Sequence, residues 1–182
     1  PENVRHALVD GAMKPMTAGL SDADILSLVV FLTGRKPDVA TDPMANRCAT
    51  PADEVVLSPG DWTSTHGDDS NSRFRSNTGV DAGAISSLQL KWSFAYPGRA
   101  SGPVTLGGHR VFLASGSHVV SLDASGGCTR WVHPVDGRLV RAVSLATLPV
   151  PGAPGRAVLV FGDDSSTVTA LDAGTGEVLW RT

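Results

Sequence analysis

The residues with the most distinctive chemistry in this chain are its two cysteines and three methionines. Cys48 and Cys128 are far apart and neither belongs to a Cys-x-x-Cys pair, so their spacing does not support a zinc site or a thioredoxin-like motif. A disulfide and two free thiols both remain open. Met13 and Met16 each offer a thioether, a soft neutral ligand that suits ferrous haem, although a methionine beside a helix more often fills a core.

The acidic residues and histidines form no catalytic constellation. Asp163 and Asp164 are adjacent, so on a strand they would point to opposite faces, and we interpret them as turn residues. Asp123 and Asp172 occupy equivalent positions in an internal repeat and are interpreted as structural. The histidines show no metal-ligand spacing, and the sequence contains neither a Gly-rich phosphate loop nor a nucleophile elbow.

Charge and hydropathy exclude two classes of partner. The 15 basic and 18 acidic residues give a net charge of -3, without the basic excess that nucleic acids or anionic membrane surfaces attract. The longest apolar run, residues 25–32, is far shorter than the roughly 20 residues that span a bilayer. We therefore expect no nucleic acid partner and no membrane span.

Residues 1–36 show helical patterning. Ser21 is a candidate N-cap, and Asp24 supplies the carboxylate of a capping box. Gly34 is a candidate C-cap, followed by two basic residues and a proline that stop the helix. The predicted apolar face recurs at i, i+3, i+4 and i+7 and consists of Ile25, Leu28, Val29 and Leu32.

Beyond this helix the sequence pattern of the chain changes twice. Residues 37–60 lose the periodicity and contain four prolines, which indicates a linker or an extended strap. In residues 61–182, short runs rich in Val, Leu, Thr and Ser alternate with Gly-containing turns, a pattern typical of antiparallel all-β structure. The predicted strands are residues 88–94, 110–114, 118–122, 157–161 and 167–171.

The β part repeats itself with a period of 49 residues. Residues 111–131 and 160–180 are identical at nine of 21 positions, including Val111/Val160 and Phe112/Phe161. The shared core is Leu-Asp-Ala-x-x-Gly-x-x-x-Trp, in which a strand ends at the Asp, the Gly serves a turn, and the next strand delivers the Trp. Repeats of this length with four short strands predict the blades of a β-propeller.

Both copies of the repeat resemble a known family. Residues 170–180 resemble the tryptophan-docking motif of the pyrroloquinoline quinone (PQQ) dehydrogenase propellers, and residues 121–131 are a weaker copy. Residues 61–62, 71–74 and 90–94 are similar to the lead-in of the same family. The resemblance implies an eight-bladed propeller. Eight blades of 49 residues need about 390 residues, so we expect the chain to be a fragment with the first blades.

The helical part carries a second resemblance. Residues 11–15, 19–25 and 31–34 are similar to the end of a class I cytochrome c domain, where a loop methionine ligates haem iron. A cytochrome before a PQQ propeller is the arrangement of the quinohaemoprotein alcohol dehydrogenases, polyvinyl alcohol dehydrogenases among them. Also similar to these enzymes are residues 127–128, 140–144 and 161–163.

The resemblance implies cofactors and roles for single residues. It makes Met13 the axial ligand of haem c, with Met16 as the competitor, whereas His6 is interpreted as structural because no Cys-x-x-Cys precedes it and the attachment sequence Cys-x-x-Cys-His is absent from this chain. Arg141 is a candidate for an oxygen of PQQ, since a guanidinium offers a charged, planar donor set. Ala100 departs from the family, which often has a polar cofactor contact there.

The resemblance also places cysteines at both cysteine positions, which implies that a Cys48–Cys128 disulfide joins the strap to the first blade. Such a bond would persist in a periplasmic or secreted protein. Calcium and a catalytic carboxylate would complete the PQQ site, from residues outside this chain.

The function implied is oxidation of an alcohol by hydride transfer to PQQ, with electrons passing through haem c to an electron-accepting cytochrome or respiratory chain. The fragment alone would be inactive. Two alternatives stay open: a non-catalytic propeller that serves as a binding or assembly scaffold, which the alanine at position 100 favours, and a haem electron carrier without alcohol oxidation.

Overall fold

The structure is a computed structural model that describes residues 2–34, 42–51, 53–68, 70–76, 78–94, 102–115, 118–135 and 140–182. The chain divides into two compact units, Pro1–Thr41 and Asp42–Thr182. Arg35, Lys36 and Pro37, for which the sequence predicts a helix stop, and Ala100 lie outside the described residues.

The first unit contains helix α1 (Glu2–Val9), a 3-10 turn (Lys14–Thr17) and helix α2 (Asp22–Thr33). The predicted caps of α2 are confirmed. The Ser21 hydroxyl accepts a hydrogen bond from the Asp24 N–H at 3.3 Å, and the Asp24 carboxylate accepts one from the Ser21 N–H at 2.9 Å. Gly34 ends the helix with a left-handed φ of 67°, which a residue without a side chain adopts readily.

The core of this unit is small and one-sided. Leu8 of α1 packs with Ile25 and Val29 of α2. The prediction that Leu28 and Leu32 share the buried face is wrong, since they are 37% and 60% exposed. The side of α2 that faces α1 is narrow, and it accommodates only the i, i+4 pair.

The second unit holds two four-stranded antiparallel sheets. The first sheet comprises β1 (Thr105–Gly107), β2 (Arg110–Ser115), β3 (His118–Asp123) and β4 (Thr129–Pro134). The second comprises β5 (Ser144–Val150), β6 (Ala153–Gly162), β7 (Val168–Asp172) and β8 (Val178–Arg181). In each sheet every strand pairs with the next one in sequence, as antiparallel blades require.

The strand predicted at residues 88–94 is absent. A strand needs a hydrogen-bonded neighbour, and the ladders assigned among the described residues do not include this segment. Its side chains nevertheless pack on the first sheet, because Trp92 and Phe94 contact the cluster of Val111, Leu113 and Val120.

Tryptophans link consecutive repeat units. Trp131, at the end of the first repeat, is 7% exposed and donates its indole N–H to the Ala173 carbonyl, in the turn after β7, at 3.1 Å. Trp92 does the same to Ala124 at 3.0 Å. The Trp131 indole lies against the turn glycine Gly176, and the Trp92 indole lies against Gly127. Each tryptophan therefore packs on the turn of the repeat that follows it.

The repeats match in β3 and β4 but are offset in β2. Phe112 pairs with Ser121, whereas Val160 pairs with Ala170, the residue equivalent to Ser121. Phe112 therefore corresponds to Val160, and the predicted equivalence of Phe112 with Phe161 is wrong. The physical reason is one additional residue in the turn before β7, which shifts β6 by one position and reverses its faces relative to the sequence alignment.

Adjacent turn glycines provide a test of the docking contact. Gly127 has a φ of 71°, and a Cβ there would lie 2.6 Å from Cδ2 of Trp92, whereas a Cβ on Gly126 would meet nothing within 4 Å. We expect Gly127→Ala to lower the free energy of unfolding by about 3 kcal/mol, because both backbone strain and overpacking oppose it. Gly126→Ala should change it by less than about 0.5 kcal/mol. Equal effects in urea unfolding would contradict the contact.

Candidate functional site

The beginnings of β1 and β5, the first strands of the two sheets, meet at one place. Gly102 precedes β1 and Arg141 precedes β5, and their backbones are so close that a Cβ on Gly102 would lie 1.6 Å from the Arg141 carbonyl oxygen. Val140 is fully buried and pairs with Asp163 in an isolated bridge, whereas the Arg141 side chain is exposed. A fixed backbone therefore presents an accessible guanidinium.

Hydrogen bonds connect the beginnings of β1 and β5 with each other and with residues 62–63. The buried Thr105 hydroxyl of β1 donates to the Val143 carbonyl at 2.7 Å. The Leu145 N–H of β5 donates to the Thr63 carbonyl at 2.7 Å, and the Leu106 N–H of β1 donates to the Trp62 carbonyl at 2.8 Å. The segment at residues 62–63 thus contacts the first strand of each sheet.

The charge of Arg141 is available to a ligand. Across the described part of the chain, no carboxylate forms an ion pair with this guanidinium. A guanidinium without an internal partner can bind a carboxylate or another planar acceptor through two parallel hydrogen bonds. This donor set fits an anionic, oxygen-rich ligand.

The repeat-equivalent aspartates have structural partners. Asp123 accepts a hydrogen bond from Ser125 and one from Arg130 at 2.7 Å, and these bonds hold its pKa well below the ordinary range. Asp172 accepts from Arg156 at 2.6 Å and from the Thr175 N–H at 2.7 Å. Partial burial raises the pKa of Asp172, but these hydrogen bonds outweigh it and the net shift is downward. Both carboxylates cap turns and stay ionised at neutral pH.

Asp163, which the sequence predicts to be a turn residue, also bonds locally. The Asp163 carboxylate accepts from the Ser165 N–H at 2.8 Å and from the Thr167 N–H at 3.1 Å. Throughout the ranges that the structure describes, no three His, Cys, Asp or Glu side chains gather as a metal site.

Met13 and Met16 lie at the 3-10 turn of the first unit. The Met13 N–H donates to the Ala7 carbonyl of α1 at 3.0 Å, which fixes its backbone, and its side chain is 43% exposed. Met16 is 79% exposed. Neither thioether fills the small core of this unit. His6 lies 3.9 Å from the Asp10 carboxylate on the surface of α1.

The exposed surface of the first unit is unusually apolar. On α2, several large apolar side chains are 37–84% exposed: Leu26, Leu28, Phe31 and Leu32. A helix that is apolar on all sides is normally covered by other groups. None of the described helices is both long and apolar enough to cross a membrane.

The described part of the strap, residues 42–51 and 53–60, is attached to the second unit. Cys48 and Cys128 form a disulfide with a Cα–Cα distance of 5.1 Å. The neighbouring Thr129 donates its N–H to the Asn46 carbonyl at 2.7 Å and its hydroxyl to the Pro43 carbonyl at 2.6 Å. Farther along, Val55 is buried in the core between the sheets, so this segment is a packed part of the second unit.

A buried arginine completes the attachment of the strap, and no sequence pattern indicates it. Arg110 is 2% exposed and donates to the Gly174 carbonyl at 3.1 Å and to the Asp53 carboxylate at 2.6 Å. The hydrogen bond from Arg110 lowers the pKa of Asp53 below its ordinary value. These partners are 57 and 64 residues away in sequence, beyond the reach of any local motif.

Comparison with known proteins gives three findings. Residues 68–182 match the PQQ_2 family model, described as outer membrane protein assembly factor BamB. A polyvinylalcohol dehydrogenase from Pseudomonas sp is 33% identical over 97% of this chain and 30% of its own length. Another, from Sphingopyxis sp. (strain 113P3), is 34% identical over 94% of this chain and 29% of its own length. The chain thus spans about 30% of the length of these relatives.

Among solved structures, a europium-containing methanol dehydrogenase superposes with a TM-score of 0.52 and 22% identity, over 69% of this chain and 23% of that one. At this identity the likeness shows the fold. The prediction of a mostly β, PQQ-type propeller-like fold is confirmed.

Proposed function

This chain belongs to the PQQ_2 family of β-propeller proteins, and on that premise we propose that it is part of a PQQ-dependent alcohol dehydrogenase. The observation that carries the proposal is the 33–34% identity to two polyvinylalcohol dehydrogenases, which extends over 94–97% of the chain and so includes the helical unit. The substrate would be a primary or secondary alcohol, with polyvinyl alcohol as the first candidate.

Arg141 is the residue that we propose for PQQ. PQQ supplies a quinone that accepts hydride from an alcohol. Arg141 would bind one of its oxygens, orient it and neutralise part of its charge. The exposed guanidinium without an acidic partner supports this assignment. Calcium and the catalytic base would come from residues outside this chain.

For the first unit we propose the end of a haem c domain. The Met13 thioether is accessible on a backbone anchored to α1, and α2 exposes apolar side chains that a porphyrin could cover. Met13 is the preferred ligand over Met16, whose side chain is almost fully exposed. The haem attachment sequence and any further iron ligand would lie in another part of the full-length protein.

The remaining features of the proposal follow from this assignment. The complete propeller would have eight blades, and haem c would pass electrons to a cytochrome or respiratory chain. The Cys48–Cys128 disulfide supports a periplasmic or secreted location, where such bonds persist.

The experiment that tests the proposal measures alcohol-dependent dye reduction by the full-length protein with PQQ and calcium. We expect activity with wild type and a PQQ dissociation constant raised about 10- to 100-fold by Arg141→Ala, because one charged hydrogen-bonding partner is lost. Arg156→Ala is the matched control, as this arginine pairs with Asp172. A wild-type protein that neither binds PQQ nor oxidises alcohols would refute the proposal.

The haem assignment has a separate spectroscopic test. In the full-length protein, Met13→Ala should abolish the charge-transfer absorption of methionine-ligated ferric haem, because the sulfur ligand is lost. Met16→Ala should leave that band unchanged. Loss of the band with Met16→Ala alone would reverse the assignment, and haem binding without PQQ binding would indicate an electron carrier.

A second candidate function is a non-catalytic assembly scaffold. The description of the matching family as an outer membrane protein assembly factor favours it, and so does Ala100, which cannot provide a polar cofactor contact. A propeller of this kind would use its blades only for binding. Absence of PQQ binding, together with stable association with another protein, would support this candidate.

A further inference from the structure

The stretch from Arg141 to Leu145 is held by groups from outside its own sheet. Gly102 and Thr105 belong to the first sheet and the segment leading into it, while Thr63 belongs to the preceding segment. They act on the backbone of this stretch and leave the Arg141 side chain exposed.

Gly102 sets the approach of the two backbones. A Cβ at this position would lie 1.6 Å from the carbonyl oxygen and 2.7 Å from the carbonyl carbon of Arg141. No side chain fits in that space, and backbone atoms cannot yield as a flexible side chain would. Any residue other than glycine at position 102 must therefore move the Arg141 peptide.

Thr105 fixes the same stretch two residues later. Its side chain is fully buried, and its hydroxyl donates to the Val143 carbonyl at 2.7 Å. Val143 is itself 1% exposed, so this carbonyl sits in a buried setting where an unpaired polar group is costly. The bond holds the beginning of β5 against β1.

We propose that Gly102 and Thr105 are positioning residues for Arg141: the first sheet fixes the backbone from which the second sheet extends its guanidinium toward an anionic cofactor. A charged group on a fixed backbone loses less conformational freedom when it binds, so cofactor affinity depends on these two residues although neither need touch the cofactor. This inference rests on the proposed function, in which Arg141 binds PQQ.

The test measures the PQQ dissociation constant of the full-length protein by titration of the apo form. Thr105→Val removes the hydroxyl and keeps the shape, and we expect it to weaken binding about 5- to 10-fold, while Thr105→Ser should restore most of the affinity. Gly102→Ala should weaken binding at least about 10-fold through displacement of Arg141. Thr129→Val is the matched control, because Thr129 is also buried and donates to a carbonyl, but of the strap.

A double-mutant comparison separates positioning from general destabilisation. In an Arg141→Ala background, Thr105→Val should lower the melting temperature as before but have no further effect on PQQ affinity. The inference is overturned if Thr105→Val weakens PQQ equally in both backgrounds, or no more than Thr129→Val does. Failure of the wild type to bind PQQ would instead refute the proposed function, and this inference with it.

Discussion

Replacing both Cys48 and Cys128 by serine should lower the free energy of unfolding of the propeller part by about 4 kcal/mol. The bond closes a loop of 80 residues. In the chain-entropy account, a cross-link of this span lowers the conformational entropy of the unfolded state by an amount that corresponds to this free energy. The measurement is urea unfolding of the full-length protein, followed by tryptophan fluorescence, with and without a reductant.

Two controls make the disulfide prediction specific. The free energy of unfolding of the double serine variant should show no effect of the reductant on this bond. Wild-type protein alkylated without prior reduction should carry no alkyl group on either cysteine, as mass measurement would show. A wild-type protein in which both cysteines react with the alkylating agent would contradict the disulfide. A loss below about 1 kcal/mol would show that the strap is held by its hydrogen bonds to Thr129 and Arg110 instead.

Trp131→Ala should destabilise the contact between the two sheets by about 4 kcal/mol. The indole is 7% exposed, lies 5.9 Å from the ring of Phe112 between centroids, and bonds to the Ala173 carbonyl, so truncation leaves both a cavity and an unpaired buried acceptor. Thermal unfolding of the full-length protein monitored by calorimetry provides the measurement.

Trp131→Phe distinguishes packing from hydrogen bonding. It keeps an aromatic ring but removes the N–H donor, and we expect a loss of about 1–2 kcal/mol. If the alanine variant lost no more than the phenylalanine variant, the ring would not be what joins the sheets.

Local signals predict local structure in this chain well. The capping box of Ser21 and Asp24, the glycine at position 34 and the turn of the Leu-Asp-Ala repeat each depend on residues within about ten positions, and the structure forms all three. The docking of Trp131 also follows from the repeat, because stacked repeats of one motif contact the adjacent repeat through equivalent residues.

The sequence does not reveal the long-range contacts or the register of the strands. The partners of Arg110 come from the strap and from the second sheet, and the contact of Gly102 with Arg141 joins residues that no pattern associates. The exposure of Leu28 depends on what covers α2, which periodicity does not specify. At the site, the presence of an arginine at position 141 indicates anion binding, but only the fold shows which residues fix its backbone.

The additional residue in the turn before β7 has a consequence for the history of the two blades. If they descend from one duplicated unit, β6 has moved by one position and exchanged its two faces, while the bulge, the turn glycine and the docking tryptophan stayed in place. In that case one inserted residue reversed the faces of β6 without displacing the turn glycine, so a sequence alignment of the two blades assigns the β6 side chains to the wrong face.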